Sequence, residues 1–183
     1  MIKDKADLIR YIHEDMHFYC HYPRRERLVY VFTNDPVYQI AKYIRFMRKE
    51  EYFFNCRKDK IGKLVALWYL RRKNTLGNKL GFKIPRNTIE EGLTIFHNGE
   101  IIVNETVKVG KNAVLHGGNC IGNDGSSGSG VPVIGDNLDL GIGAKVIGDV
   151  RLGNNVKIGA NAVVTRSFEE NNITLVGLPA RKV

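Results

Sequence analysis

Histidine is the side chain whose ordinary pKa lets it take up and release a proton near neutral pH, so the five histidines are where proton-transfer chemistry is sought first. His13, His17 and His21 are spaced by four and would share one helix face, a spacing that can hold a metal ion. No carboxylate stands in phase with them and Tyr22-Pro23 ends the run, so they read as an exposed polar stripe and no metal is predicted. His97 precedes Asn98-Gly99, a corner sequence that lets its side chain face outward, and His116 follows the aliphatic Leu115. Cys120 could act as a nucleophile only as a thiolate, and nothing beside it in the sequence activates it. The Gly/Ser run Gly122–Gly130 could offer free backbone N–H groups to a ligand, yet it lacks the Gly-Lys-Ser/Thr ending and the following helix of a nucleotide loop. It reads as a functional loop in a rigid setting.

That rigid setting is a six-residue repeat. Between Ile134 and Val164, aliphatic residues stand at Ile134, Leu140, Val146, Leu152, Ile158 and Val164, and Leu138, Ala144, Val150, Val156 and Ala162 follow four places after the first five. A period of six fits neither the 3.6-residue helical turn nor the two-residue alternation of a strand. It fits short rungs with a turn at each corner, stacked so that each coil buries its apolar edge against the next. The phase reappears at Val103, Val109, Leu115 and Ile121, with Val107 and Ala113 at inner positions, and more loosely at Ile84, Ile89, Ile95 and Ile101. The interval from Ile121 to Ile134 exceeds two units by one residue, which is assigned to a loop protruding over 122–131.

Residues 1–81 read instead as helices. Leu8, Ile9, Ile12 and Met16 form a first stripe that exits at Tyr22-Pro23-Arg24-Arg25. Asp35-Pro36 starts a second helix with Val37, Ile40, Ala41, Ile44 and Met47 inward. A third is expected from Lys58 to about Lys73, with Ile61, Leu64, Val65, Leu67 and Trp68 inward, broken by Asn74, Gly77 and Gly81. The net charge of +9 sits here: residues 1–82 hold 18 Lys and Arg against 9 Asp and Glu, and residues 83–183 hold 10 against 10. No nucleic-acid motif accompanies this excess, which reads first as a solvated face and next as a peripheral contact with an anionic membrane surface, with an acidic partner as a further alternative. The charged start and an odd three cysteines without a CxxC point to a reduced, cytoplasmic protein.

The stretches LGFKIP, GLTIFHNGEIIVNET, IGDNLDLGIGAKVIGDV, NVKIGANAVV and GLPAR cover residues 80–183 and resemble the hexapeptide-repeat acyltransferases, within them the serine acetyltransferase-like branch. The helical lead resembles enzymes found with surface-polysaccharide genes. The resemblance implies a mainly β fold, a left-handed parallel β-helix over residues 82–183, which departs from the right-handed crossover rule. It also implies a homotrimer, acetyl-CoA as co-substrate, and active sites in the clefts between subunits. It places the catalytic histidine at His97, as the base that takes the acceptor's proton while oxygen attacks the thioester. His116, Phe96 and Phe82 would line the acceptor pocket. Ile142, Gly143, Ala144 and Ala160 match positions that contact the cofactor through the backbone, and Arg166 and Arg181 are candidates for the CoA phosphates.

Three departures bear on the acceptor. Phe82 and Phe96 stand where serine acetyltransferases carry carboxylates, and Gly130-Val131 stands where they carry Arg-His before the proline. A zwitterion in a site without these charges would leave ionic groups unpaired. The expected acceptor is therefore a sugar hydroxyl of a surface polysaccharide, with free serine second and a catalytically silent trimeric scaffold third.

Overall fold

Aspartates start three of the four leading helices. In the computed structural model, which describes residues 1–126 and 130–183, these helices are α1 (Lys5–Cys20), α2 (Arg24–Phe32), α3 (Pro36–Cys56) and α4 (Lys60–Leu80). The side chains of Asp4, Asp35 and Asp59 accept from the N–H groups of Asp7, Val37 and Gly62, and Pro36 occupies the first turn of α3 where it forfeits no bond. The separate helix α2 was not expected; it starts after Pro23 without a side-chain cap and buries none of its residues, leaving Leu28, Val31 and Phe32 exposed. Helix α4 runs past the expected stop at Lys73. Gly77 lies inside it because a Cβ there would come 2.6 Å from the Phe82 carbonyl oxygen, so glycine lets the helix lie against the chain that follows. The break comes at Gly81, left-handed at φ 82°, whose N–H returns to the Gly77 carbonyl. The expected inner face of this helix is corrected as well: Ile61, Leu64, Leu67 and Trp68 are exposed, and Ala66, Leu76 and Leu80 face inward.

The strands follow as β1 (Phe82–Lys83), β2 (Thr94–Ile95), β3 (Ile101–Val103), β4 (Lys108–Val109), β5 (Val114–Leu115), β6 (Asn119–Gly122) and β7 (Val133–Ile134). Then come β8 (Asp139–Leu140), β9 (Lys145–Ile147), β10 (Arg151–Leu152), β11 (Lys157–Ile158), β12 (Val163–Val164), β13 (Thr174–Val176) and β14 (Arg181–Lys182). Helices of 16, 9, 21 and 21 residues hold more of the chain than strands of two to four, so "mainly β" gives way to helices followed by parallel sheets. The strands form three sheets, ordered β1-β3-β6-β9-β12, β10-β7-β4 and β14-β13-β11-β8-β5-β2. From β4 to β12 the chain visits the three in strict rotation, and all neighbours but β13 and β14 are parallel.

All eleven positions of the regular repeat are buried, as the period requires. One circuit takes 18 residues in the regular part, shown by Asp136 bonding to Asn154, and 25 where the Gly/Ser run intervenes, shown by Asn112 bonding to Asn137. The excursion therefore adds seven residues within a single unit, not one residue to two units. At one corner Asn112, Asn137, Asn155 and Asn172 all adopt positive φ, which asparagine tolerates better than other side chains. Their amides bond in a column at 3.0, 2.7 and 2.9 Å.

Polar side chains pin the helices to the first coil, within a core that runs through both regions. Tyr19 Oη donates to the Ile95 carbonyl at 3.0 Å and accepts from the Ile95 N–H at 3.2 Å. Arg48, fully buried, donates to Asp15, Glu51 and the carbonyls of Ile89 and Glu90. Burial opposes its charge, but Asp15 and Glu51 outweigh that and hold its pKa above the ordinary value. Asp15 in turn accepts from the N–H groups of Gly92 and Leu93.

Candidate active site

The Tyr19 contact fixes Ile95 at the end of β2, and the next two residues are Phe96 and His97. The Phe96 N–H donates to the Leu115 carbonyl at 3.0 Å, and Ile95 pairs with Leu115, so Phe96 lies beside His116 and His97 beside Gly117. Phe96 and His116 have ring centroids 4.9 Å apart, and Phe96 and His97 6.4 Å apart. Phe18 of α1 meets Phe96 edge-on at 5.0 Å, which wedges that ring between helix and coil. His97 is exposed, and its neighbour has no side chain: a Cβ on Gly117 would stand 3.5 Å from the Cβ of His97. The structure thus brings together His97, His116 and Phe96 from the expected set.

Two residues that the sequence reading missed organise this patch. Asp139, on β8 one coil further on, places Oδ1 2.8 Å from His116 Nε2. Asn119 is buried under the corner that follows His116. Its Oδ1 accepts from the Gly117 N–H at 2.9 Å, and its Nδ2 donates to the carbonyls of Gly141 at 2.8 Å and Ala144 at 3.3 Å. Below Phe96 a groove of about 670 Å³ runs between α1 and the coil, lined by His17, His21, Tyr22, Thr94 and Asn112 among others. His17 of α1 and His21, just past its end, therefore edge this groove, with their rings 6.0 Å apart.

The remaining expected positions lie elsewhere. Phe82 is buried, with its ring 5.3 Å from Tyr43 under the helices, so it belongs to the core and not to the patch around Phe96. Ile142 and Ala160 are exposed along one corner, and Gly143 has a positive φ of 72° there. The Gly143 N–H is taken by the Gly117 carbonyl at 2.8 Å, and the Ala144 N–H by Gly141 at 3.0 Å, so these two amides are already engaged in the coil. The Arg166 guanidinium lies 5.0 Å from the Phe168 ring centre, and Arg181 is exposed on β14. Burial pushes the Cys120 thiol above its usual pKa, which opposes a nucleophilic role. Of the protruding loop, residues 127–129 lie outside the described residues; Val131 packs against the core.

Residues 132–166 match the family model described as bacterial transferase hexapeptide (six repeats). Over 100 residues the chain is 35% identical to a serine acetyltransferase of Synechococcus elongatus, an alignment covering 54% of this chain and 41% of that protein. A crystal structure of serine acetyltransferase from Brucella abortus superposes with a TM-score of 0.70 at 22% identity, covering 97% of this chain and 68% of the other. A structure of the Brucella abortus enzyme in complex with coenzyme A gives 0.67 at 26% identity, covering 97% and 66%. Residues 132–166 thus carry the hexapeptide repeat of bacterial transferases, and the chain is similar to serine acetyltransferases while it spans less than half the length of the curated relatives it matches. These relatives are named for serine, the acceptor ranked second from the sequence.

Proposed function

We propose that this chain is an acetyl-CoA-dependent O-acetyltransferase, built on a left-handed parallel β-helix, trimeric, cytoplasmic, with L-serine as its first acceptor. The single observation that carries the reading is His97, an exposed histidine held at the end of a pinned rung, within the stretch that resembles serine acetyltransferases. A carbonyl carbon activated as a thioester is attacked by an alcohol oxygen only as that oxygen loses its proton. His97 would accept this proton while the new C–O bond forms. The tetrahedral oxyanion then collapses, the C–S bond breaks, and the CoA sulfur leaves with the proton returned by His97.

The acetyl-CoA arm would run along the corner of Ile142, Gly143, Ala144 and Ala160, where side chains are small or turned outward. Arg166 and Arg181 would meet its phosphates. A second reading, a sugar hydroxyl as acceptor, is favoured by one observation: Phe96, beside His97, offers an apolar ring and no charge for a zwitterion. Among the described residues no helix is long and apolar enough to cross a membrane.

The test measures CoA thiol release with acetyl-CoA and either L-serine or a panel of glycosides. His97→Ala should lower kcat by about 10²–10⁴-fold, with CoA binding by calorimetry retained. Near-full turnover by this variant would refute the assignment of His97, and saturable turnover of a glycoside but not of serine would refute the acceptor.

A further inference from the structure

The acetyl transfer proposed above leaves one built pair of side chains unused, and the inference that follows rests on that reading. His116 and Asp139 come from consecutive coils, at outward positions of the same parallel sheet, and meet at 2.8 Å between Nε2 and Oδ1. An ionised carboxylate only accepts, so the nitrogen facing it carries a proton, and in the neutral form of the ring Nδ1 is the nitrogen with the lone pair. Among the described residues no hydrogen bond reaches Nδ1.

The ring is also held on other sides. Phe96 stands 4.9 Å from it and is wedged by Phe18; the His116 N–H donates to the Leu140 carbonyl at 3.1 Å; Asn119 fixes the next residue. A side chain held this way loses little freedom when it binds a ligand. Phe96 is the neighbour of both histidines, so the Nδ1 lone pair belongs to the same surface patch as the proposed base.

We infer that His116 is an acceptor-binding residue and Asp139 its positioning residue: Nδ1 takes a hydrogen bond from an N–H or O–H donor on the carbon adjacent to the one that bears the reacting hydroxyl. In serine that donor is the ammonium group. In a sugar it is a neighbouring hydroxyl. The carboxylate behind the ring gives this spot negative character, which suits a donor and repels a carboxylate. His97 keeps the proton transfer, and the pair sets which alcohol is presented to it.

Steady-state kinetics on the full chain test this with L-serine, with 3-hydroxypropanoate, which lacks the ammonium, and with a methyl glycoside beside its vicinal deoxy analogue. His116→Ala and Asp139→Asn should each raise the KM of the acceptor about tenfold, the worth of one hydrogen bond, with kcat held within about threefold. The KM of acetyl-CoA should not move. His116→Gln, which keeps an accepting oxygen, should restore part of the loss, and the analogue without the donor should be insensitive to all three changes. Discrimination seen with serine or with the glycoside identifies which source supplies the donor.

A fall in kcat matching that of His97→Ala at unchanged KM would overturn the role of His116, and an unchanged acceptor KM in Asp139→Asn would overturn that of Asp139. If the wild-type chain acetylates no acceptor, the transferase reading itself fails, and nitrogen NMR of the His116 ring then decides the pair. Asp139→Asn must alter its tautomer signature, and L-serine or the glycoside must shift Nδ1; if either response is missing, the inference is wrong.

Discussion

Replacing Asn119 by alanine should cost stability out of proportion to its size. The side chain is 1% exposed and bonds three backbone groups from two corners. The Gly141 carbonyl also receives the Ala144 N–H at 3.0 Å and the Ala144 carbonyl the Cys120 N–H at 3.4 Å, so both keep a partner after truncation. The Gly117 N–H has no other bond among the described residues. An orphaned buried N–H costs about 1–3 kcal/mol, and the two lost bonds to carbonyls add up to about 1 kcal/mol, giving a total of about 2–4 kcal/mol. Against the stability of an ordinary domain, about 5–15 kcal/mol, that is a large share. Urea unfolding followed by circular dichroism, at one fixed protomer concentration, measures it. A loss below about 1 kcal/mol would mean that Gly117 finds another partner, and the clamp argument would be refuted. The same variant loosens the backbone beside His97 and the Gly141–Ala144 corner together, so KM for acetyl-CoA should rise even where the folded fraction is complete.

Gly141→Ala should destabilise the chain, because a Cβ there would lie 2.7 Å from the Ile158 carbonyl oxygen and 2.8 Å from the Ala160 nitrogen, both backbone. The neighbouring coils must separate for it, and the thermal midpoint should fall by several degrees, whereas Gly125→Ala, open on that side though left-handed, tests the contribution of backbone strain alone. For Cys120, burial raises the thiol pKa, so less thiolate is present at neutral pH than in a free cysteine. Alkylation by iodoacetamide at pH 7.5 should run slower there than on a cysteine peptide and accelerate as pH rises, and Cys120→Ser should keep acetyl transfer. A loss of transfer in that variant would reopen the acyl-thiol route.

What the sequence made legible follows from which residues carry a marker. In the repeat the phased aliphatic and small positions each have one fixed role, so the eleven from Ile134 to Val164 could be placed rung by rung and all eleven are buried. Helix α3 was readable from Asp35-Pro36 because a cap and a proline have a local cause. Helix α2 starts after Pro23 with no capping side chain to mark it, and it escaped. In α4 the apolar stripe at Ile61, Leu64, Leu67 and Trp68 was real as a pattern, but a stripe does not say what lies against it.

The site shows the same limit through register. His97 and His116 could be singled out as side chains at corners, and Phe96 follows from its position beside the first. Asp139 could not, because it becomes a neighbour of His116 only if the coil through the Gly/Ser run is counted correctly. Counting the excursion as one surplus residue in two units sets Leu115 against Ile134 and His116 against Gly135, leaving the histidine without a carboxylate. The observed pairing is Leu115 with Leu140, which carries Asp139 to His116. Glycine and serine have no apolar side chain to report whether they belong to the wall or to a loop. The position of the loop therefore decides which outward residues meet across the coils, and the partner of His116 is fixed by residues that never touch it.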